Sequence, residues 1–424
     1  MADIPYPRGV RDLMPNEALF RAELVKKAES VFQRFGFLTI DTPAFESLKV
    51  LMAKNAIGED NTLIYEIKDE DLGLRYDHTV SFARYVGMHQ ELPLPFKRYC
   101  IGKVWRKDEP QKNRYREFMQ ADIDIAGGTP SFCDAEVVAA IATALDEMGI
   151  NYTIKLNNRR IVDDLLLGSG LTPEVSRNAM RAIDKTDKIG AEKVNELLLA
   201  LGIGKDLLEH INSFIRMEGG TEEKLSYAES VVKDKAAVAE LRTVMELLAK
   251  YNVRGSFKVD FSLVRGLDYY TGLVFEVVDA SGAIGASIGA GGRYNKLISL
   301  YGPREIEAVG ASLGIDRILD LMDYSSSVQY TFANTFVAYI NESNYPYALE
   351  IANGLRKNGV NAEINLTKRN ISNQLSYANS LKFKFALIVG GSEEKEHKVK
   401  LRNLVSGEEV TLGFDEALAI VKKG

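Results

Sequence analysis

The sequence predicts an α+β protein in which an antiparallel-sheet domain is interrupted by a helical insertion and followed by a small α/β domain. Three observations predict it. Residues 63 to 76 and 96 to 125 carry aromatic and β-branched residues in irregular alternation around a polar loop near 108 to 114, as antiparallel strands do. Residues 161 to 253 change to recurrent Leu, Ala, Lys and Glu broken by glycines, which is helical sequence. Beyond Tyr330 strand-like and helix-like stretches alternate, the pattern of an α/β unit. At 424 residues the chain also exceeds one ordinary core of about 150 residues. The expected domains are 1–160 with 254–325, the insertion 161–253, and 330–424.

The first element is a helix over residues 16 to 36, with Leu19, Leu24, Ala28, Val31 and Phe32 at helical spacing. Gly36 stops it, and Phe37 to Ile40 reads as a strand leading to Thr42-Pro43. Glu136 to Met148 returns to a helical period. After the insertion, Phe257 to Ala290 is strand-like and punctuated by glycine, followed by a helix at Tyr294 to Tyr301 and another after Gly310. The last domain is expected as strand Thr335 to Ile340, helix Tyr345 to Asn358, strand Ala362 to Asn365, helix Ile371 to Leu381, strand Phe385 to Val389, two short strands and a final helix.

Composition narrows the function. With 46% apolar and 26% charged residues the chain is of ordinary soluble globular make-up. Its two cysteines, Cys100 and Cys133, lie in no Cys/His cluster of metal-ligand spacing, so neither a disulfide framework nor a structural zinc site is expected, and a reducing cytoplasm fits. No signal-peptide run opens the sequence and no stretch of membrane-spanning length is free of charge, so no membrane partner is expected. The net charge of −6 argues against indiscriminate polyanion binding. Locally the balance reverses: between Lys97 and Arg116 eight basic residues face two acidic ones, a surplus that calls for an anion.

Three separated segments carry the chemistry. Phe35 to Glu46 ends a helix at a glycine and a strand at a proline, which by itself is as readily a sheet boundary. Trp105 to Gln120 is a strand-loop-strand unit whose arginines offer planar forks to phosphate and whose Phe118 offers a face to a purine; a solvated basic hairpin is the plain alternative. Gly310 to Arg317 places glycines where a ligand approaches backbone and an arginine where one closes over it. Gly310-Ala311-Ser312-Leu313-Gly314 also fits a hydrolase nucleophile elbow, but only His397 follows it, in a very polar run. The glycine-rich stretch Gly285 to Tyr294 lacks the Lys-Ser/Thr ending of a phosphate loop, and reads either as a tight strand-to-helix turn or as backbone open to a small ligand.

Taken in order, these segments resemble the three motifs of class II aminoacyl-tRNA synthetases. Leu263 to Gly272 and Ala290 to Tyr294 resemble the two histidine-specific motifs of the histidyl-tRNA synthetase family, and Leu74 to Thr79 its amino-acid-binding loop, with His78 a departure from the glycine or leucine of related loops. Arg181 to Lys185 is similar to part of that family's insertion domain, and the last domain to its anticodon-binding domain. The resemblance implies a homodimer that uses ATP, with Mg²⁺, to activate L-histidine as an adenylate and then charges tRNA(His).

It implies site roles as well. Arg265, Arg106 and Gln120 are catalytic; Asp77, Thr79, Gln120, Asp124, Arg265, Tyr269 and Tyr270 bind histidine, with Asp124 and Tyr270 gripping the imidazole. Arg106, Arg114, Phe118 and Arg317 bind ATP, Phe118 and Arg317 enclosing the adenine; Lys107, Lys112 and Arg116 meet tRNA, and no side-chain metal cage is expected. Taken alone, Asp124 reads as a salt bridge to a strand neighbour, and Tyr269 and Tyr270 as core filling. The rival function is the regulatory subunit of ATP phosphoribosyltransferase, a non-catalytic paralogue that generally lacks the histidine motifs and the last domain.

If Arg265 stabilises the charge that grows as the histidine carboxylate attacks the α-phosphate, Arg265→Ala costs about 2.7–4 kcal/mol at the transition state, or about 10²–10³ in the rate of adenylate formation. Single-turnover measurement checks this, and a rate within about threefold of the parent would make Arg265 a structural residue.

Overall fold

The computed structural model describes residues 6–53, 63–264, 269–322 and 331–423. The chain divides into two compact units, Met1–Arg11 with Arg21–Met322, and Asp12–Phe20 with Asp323–Gly424.

Helix α1 (Pro15–Arg34) buries Leu24, Ala28, Val31 and Phe32, one stripe at helical spacing. Gly36 then turns the chain through a left-handed conformation, φ +77°. Strand β1 (Leu38–Thr39) follows, then β2 (Phe45–Ser47), the single-turn α2 (Leu48–Leu51), β3 (Leu72–Leu74) and α3 (Thr79–Met88). Next come the two long strands β4 (Phe96–Trp105) and β5 (Glu117–Ala126), helix α4 (Pro130–Met148) and β6 (Tyr152–Asn158).

Seven helices fill the expected insertion: α5 (Arg159–Gly168), α6 (Pro173–Ile183), α7 (Thr186–Ile189), α8 (Ala191–Ala200), α9 (Lys205–Ile215), α10 (Thr221–Val231) and α11 (Lys235–Leu248). By their contacts they belong to the same compact unit as the sheet. Helix α11 packs on α4 and β6, and Asn158 at the end of β6 donates to the Ala237 carbonyl (3.2 Å) and to Glu240 (3.1 Å).

Strands β7 (Ser256–Val259), β8 (Leu273–Asp279), β9 (Gly289–Arg293) and β10 (Ala308–Gly314) complete an eight-stranded sheet of order β1-β4-β5-β10-β9-β8-β6-β7. Its five inner pairings, from β4 through to β6, are antiparallel, and the outermost pairs β1–β4 and β6–β7 are parallel. Helix α12 (Ile315–Leu321) leaves the end of β10.

Three local expectations are corrected. Residues 63 to 76 give only β3, paired with β2, because the polar run Lys68 to Asp71 is spent on a turn with Asp69 at φ +64°. The helix expected at Tyr294 to Tyr301 is reduced to one 3-10 turn, Ile298–Leu300. Its first backbone donors are already committed: the Tyr294 N–H to the Ala308 carbonyl (2.7 Å) and the Asn295 N–H to Thr271 Oγ1 (3.1 Å). Within the glycine-rich stretch before it, Gly289–Arg293 is strand β9 and residues 285–288 are the bent segment leading into it. A Cβ at Gly291 would lie 2.3 Å from the Gly310 carbonyl and 2.6 Å from the Phe275 ring, so a side chain is excluded by the neighbouring strands.

In the second unit, β11 (Thr335–Tyr339), α13 (Tyr345–Lys357), β12 (Ala362–Ile364), α14 (Ile371–Ser380), β13 (Phe385–Val389), the short α15 (Gly391–Lys395), β14 (Lys398–Asn403), β15 (Glu409–Gly413) and α16 (Phe414–Lys423) build a five-stranded sheet of order β12-β11-β13-β14-β15. Period-2 alternation sends Val337 and Tyr339 to one core and Phe336 and Ala338 to the other. Gln374, wholly buried, donates to the Tyr339 and Arg369 carbonyls and accepts the Tyr339 N–H, tying α14 to the end of β11.

Candidate active site

Strand β5 lies between β4 and β10, and Gln120, Asp122 and Asp124 fall on one of its faces by the two-residue repeat. A cleft that is open to solvent lies over that face.

The loop between β4 and β5 forms one side. Arg106 donates Nε to the Tyr76 carbonyl (3.0 Å) and sets its guanidinium 5.2 Å from the centre of the Phe118 ring. Arg114 is held by Asp108 through Nε (3.1 Å) and Nη2 (2.9 Å). Arg317, in the first turn of α12, donates to the Asn113 carbonyl (3.1 Å) and the Ser287 carbonyl (2.6 Å). Asn113 adopts φ +60°, a left-handed conformation that asparagine tolerates better than most side chains. The loop is anchored further by Tyr115 donating to Asp320 (2.9 Å) and the Met119 N–H donating to Asp316 (2.6 Å).

The other side is made by Asp77, Thr79, Gln120, Tyr269 and Tyr270. Asp77 accepts the Val80 N–H (3.0 Å), capping the first turn of α3. Burial pushes its carboxyl above the usual range, against the pull of that hydrogen bond and of Arg106. The Tyr269 and Tyr270 rings meet edge to face at 4.7 Å. Gln120 Oε1 and Asp122 Oδ1 are buried without a hydrogen-bond partner among the described residues, so acceptors stand ready along this wall.

The cleft thus brings together Arg106, Arg114, Phe118 and Arg317 with Asp77, Thr79, Gln120, Tyr269 and Tyr270. Asp124 does not line it. Its carboxylate is ion-paired with its strand neighbour Arg98 at 2.5 Å and accepts the Tyr294 hydroxyl, and the Tyr294 ring is what reaches the cleft. Burial pushes Asp124 up to about 7 although Arg98 pulls it down. Asp122, one repeat nearer the cleft mouth, is on the wall instead, and burial raises it to about 6. Asp122, Tyr294, Asp108, Asn113, Tyr115 and Asp316 are among the wall residues that sequence reading left unassigned; for Asp122 the alternation from Gln120 to Asp124 held the signal. Arg265 lies outside the described residues, as do Gly266, Leu267 and Asp268.

The charge surplus between Lys97 and Arg116 is largely cancelled by the fold. Lys97 pairs with Glu136 (2.6 Å), Arg98 with Asp124, Lys103 with Glu117 (2.6 Å), Arg114 with Asp108, and Arg116 approaches Glu109 (3.8 Å) while donating to the Asp108 carbonyl. Lys107 and Lys112 are exposed. Acids brought in from β5 and α4 are invisible to a count along the loop. His78 is buried behind the site, with Nε2 3.3 Å from the Gly102 carbonyl and Nδ1 3.4 Å from Cys100 Sγ. Burial, then Arg75 and Arg98, lower its pKa to about 3, so it is an uncharged wedge between α3 and β4. Ser312 sits within extended β10 and not on a strand-to-helix elbow.

Known proteins share this arrangement. The family model described as histidyl-tRNA synthetase matches residues 9–318, and that described as anticodon binding domain matches residues 334–424. The chain belongs to the histidyl-tRNA synthetase family. It is 36% identical to a histidine--tRNA ligase of Phocaeicola vulgatus, covering 98% of each chain, and 37% identical to one of Korarchaeum cryptofilum, covering 94% of each. The crystal structure of histidyl-tRNA synthetase from Nostoc sp. PCC 7120 superposes with a TM-score of 0.86 over 100% of both chains at 28% identity. A Bacillus halodurans C structure described as an ATP phosphoribosyltransferase regulatory subunit/histidyl-tRNA synthetase shares the fold, with a TM-score of 0.77, 21% identity, and 92% of this chain and 99% of that one covered.

Gly310 makes the site possible, since a Cβ there would lie 1.9 Å from Asp124 Oδ1. Gly310→Ala is expected to destabilise the protein by about 1–3 kcal/mol through overpacking. Gly285→Ala, with no atom within 4 Å of the added Cβ, leaves the melting temperature unchanged. Thermal unfolding of the pair checks it: equal melting temperatures would mean that the Asp124 carboxylate lies elsewhere.

Proposed function

We propose that this chain is a histidine--tRNA ligase that carries out both half-reactions, activation of L-histidine with ATP and transfer to the 3′-terminal adenosine of tRNA(His). The observation that carries it is the single cleft in which three arginines and a phenylalanine face a wall of acidic, amide and phenolic groups.

In the first half-reaction a carboxylate oxygen of histidine attacks the α-phosphorus of ATP, the bond to the bridging oxygen breaks, and pyrophosphate leaves. Two anions must meet, so the need is for fixed positive charge and alignment. Arg106 holds the α-phosphate, Arg114 and Arg317 the outer phosphates, and Phe118 the adenine. In this structure the Arg106 guanidinium lies over the Phe118 ring, and Arg317 encloses the base with Phe118. Mg²⁺ would accompany the ATP and offset the charge of its outer phosphates.

Asp77 and Thr79 take the α-ammonium, Gln120 bridges the amino and carboxylate ends, and Arg265 reaches the carboxylate. Tyr270 meets the imidazole, with Asp124 contributing through its neighbours. In the second half-reaction the terminal adenosine hydroxyl attacks the carbonyl carbon of the adenylate and AMP leaves. Exposed Lys107 and Lys112, with Arg116 behind them, meet the acceptor end, and the 334–424 domain takes the anticodon.

The working form is a homodimer: Leu38 of β1 and Phe45 of β2 expose large apolar side chains on the Phe35 to Glu46 segment, a patch that a two-fold partner would bury. Free thiols at Cys100 and Cys133 suit a cytoplasmic setting. The regulatory-paralogue reading has no observation in its favour beyond shared fold.

Histidine-dependent exchange of labelled pyrophosphate into ATP is the test. Exchange with histidine and not with other amino acids is expected; none would return the chain to the regulatory reading. Removing the residues after Tyr330 is expected to weaken charging of tRNA at least about tenfold more than it weakens exchange, and equal losses in a folded truncation would contradict the division of labour.

A further inference from the structure

Arg98 has no place in the reaction described so far, yet it is among the largest wholly buried side chains of the protein. Register sets it directly opposite Asp124 across β4 and β5. Nη2 lies 2.5 Å from Asp124 Oδ2 and donates to the His78 carbonyl (3.0 Å), and the guanidinium lies 4.8 Å from the centre of the Phe82 ring. Nε and Nη1 are buried with no hydrogen-bond partner among the described residues. An apolar side chain would fill this position without those unmet donors, and buried ion pairs of this kind contribute little to stability. The consequence of the pair falls instead on Asp124.

Asp124 Oδ1 accepts the hydroxyl of Tyr294, and Oδ2 lies in ion-pair contact with Arg98 without the alignment of a hydrogen bond. An ionised carboxylate has only lone pairs, so the Tyr294 phenol must spend its one proton on Asp124. Its remaining lone pairs are then free to accept from the cleft, which Tyr294 lines. If Asp124 were protonated, the phenol proton would be released to turn into the cleft, and an acceptor would become a donor. We propose that Arg98 is a positioning residue for substrate selection, acting through Asp124 to hold the Tyr294 phenol as an acceptor for an N–H of neutral imidazole. This rests on the reading of the cleft as a histidine site.

The surroundings of Asp124 make that choice sensitive. From β4 it faces Arg98; from the chain after β9, Tyr294; along its own strand, Asp122; from the turn before α3, Asp77 and the uncharged His78; β10 offers only the backbone of Gly310. Burial raises Asp124 to about 7, with Arg98 and Tyr294 opposing and Asp122 and Asp77 adding to the rise. Loss of the guanidinium moves it higher, and the ionised form is then reached only in more alkaline solution.

The experiment measures the KM for histidine and for ATP in pyrophosphate exchange from about pH 6 to about pH 9, where the imidazole of free histidine titrates identically for every variant. In Arg98→Met the histidine KM is expected to rise at least about tenfold at pH 7 and to recover toward the parent value as pH rises, its profile displaced by about one unit or more, with the ATP KM within about twofold. Arg98→Lys restores part of the affinity. In an Asp124→Asn background, where residue 124 no longer titrates, Arg98→Met is expected to displace the profile no further. A profile that does not move, or histidine and ATP KM values that rise together, would overturn the proposal; if Arg98→Met does not fold, the same comparison made on Arg98→Lys decides. Absence of exchange in the parent protein would overturn the histidine-site reading instead, so the two failures are separable.

Discussion

Strand β5 runs with both edges hydrogen-bonded, to β4 on one side and β10 on the other, so its side chains have no freedom to shift register. That constraint puts two carboxylates, Asp122 and Asp124, side by side in a dry interior, and the interior must then supply a counter-charge. Register supplies it from the facing residue of β4. The arrangement of Tyr294, the need for glycine at Gly310 and the uncharged state of His78 are all answers to the same demand, since each either engages Asp124, makes room for it, or avoids adding a second cation beside Arg98.

The loop from Arg106 to Arg116 follows a different logic. Its arginines are already held, by the Tyr76 carbonyl, by Asp108, and by carbonyls of the loop itself. The neighbouring Arg317 is likewise held by the Asn113 and Ser287 carbonyls. Such contacts preorganise planar forks near the positions where phosphates would lie, and exchange of a carboxylate such as Asp108 for a phosphate is close to neutral in charge. Lys107 and Lys112, exposed on the same loop, are left for a larger polyanion.

The second unit was almost wholly legible in the sequence, because its strands and helices are regular and bounded by polar turns. So were α1, β4, β5 and α4. Where reading along the chain failed, the decisive partner came from far away in sequence. The Tyr294 amide pairs with Ala308 on β10, so the chain is still continuing the β9–β10 ladder where the spacing would start a helix. The glycines of β9 answer to Gly310 and Phe275, not to a turn. The cations of β4 meet Glu117, Asp124 and Glu136 only after folding. The same limit explains the carboxylates: spacing placed Gln120, Asp122 and Asp124 on one face, but which of them borders the cleft depends on Tyr294, some 170 residues downstream.

The glycines beneath the cleft set a boundary on redesign. A Cβ at Gly292 would meet the Leu273 carbonyl at 2.6 Å and the Tyr270 ring at 2.7 Å, and one at Gly310 would strike Asp124. At these two positions the backbone is already at the smallest residue the genetic code offers, and no substitution there can make more room. Room for a larger or differently shaped amino acid can be sought at the phenolic walls of Tyr269, Tyr270 and Tyr294, and trimming Tyr294 exposes the charge behind it. Steric accommodation and electrostatic recognition are coupled in this pocket, so a library that varies one wall position at a time will sample mostly broken receptors, and productive changes of substrate have to be sought as compensated sets.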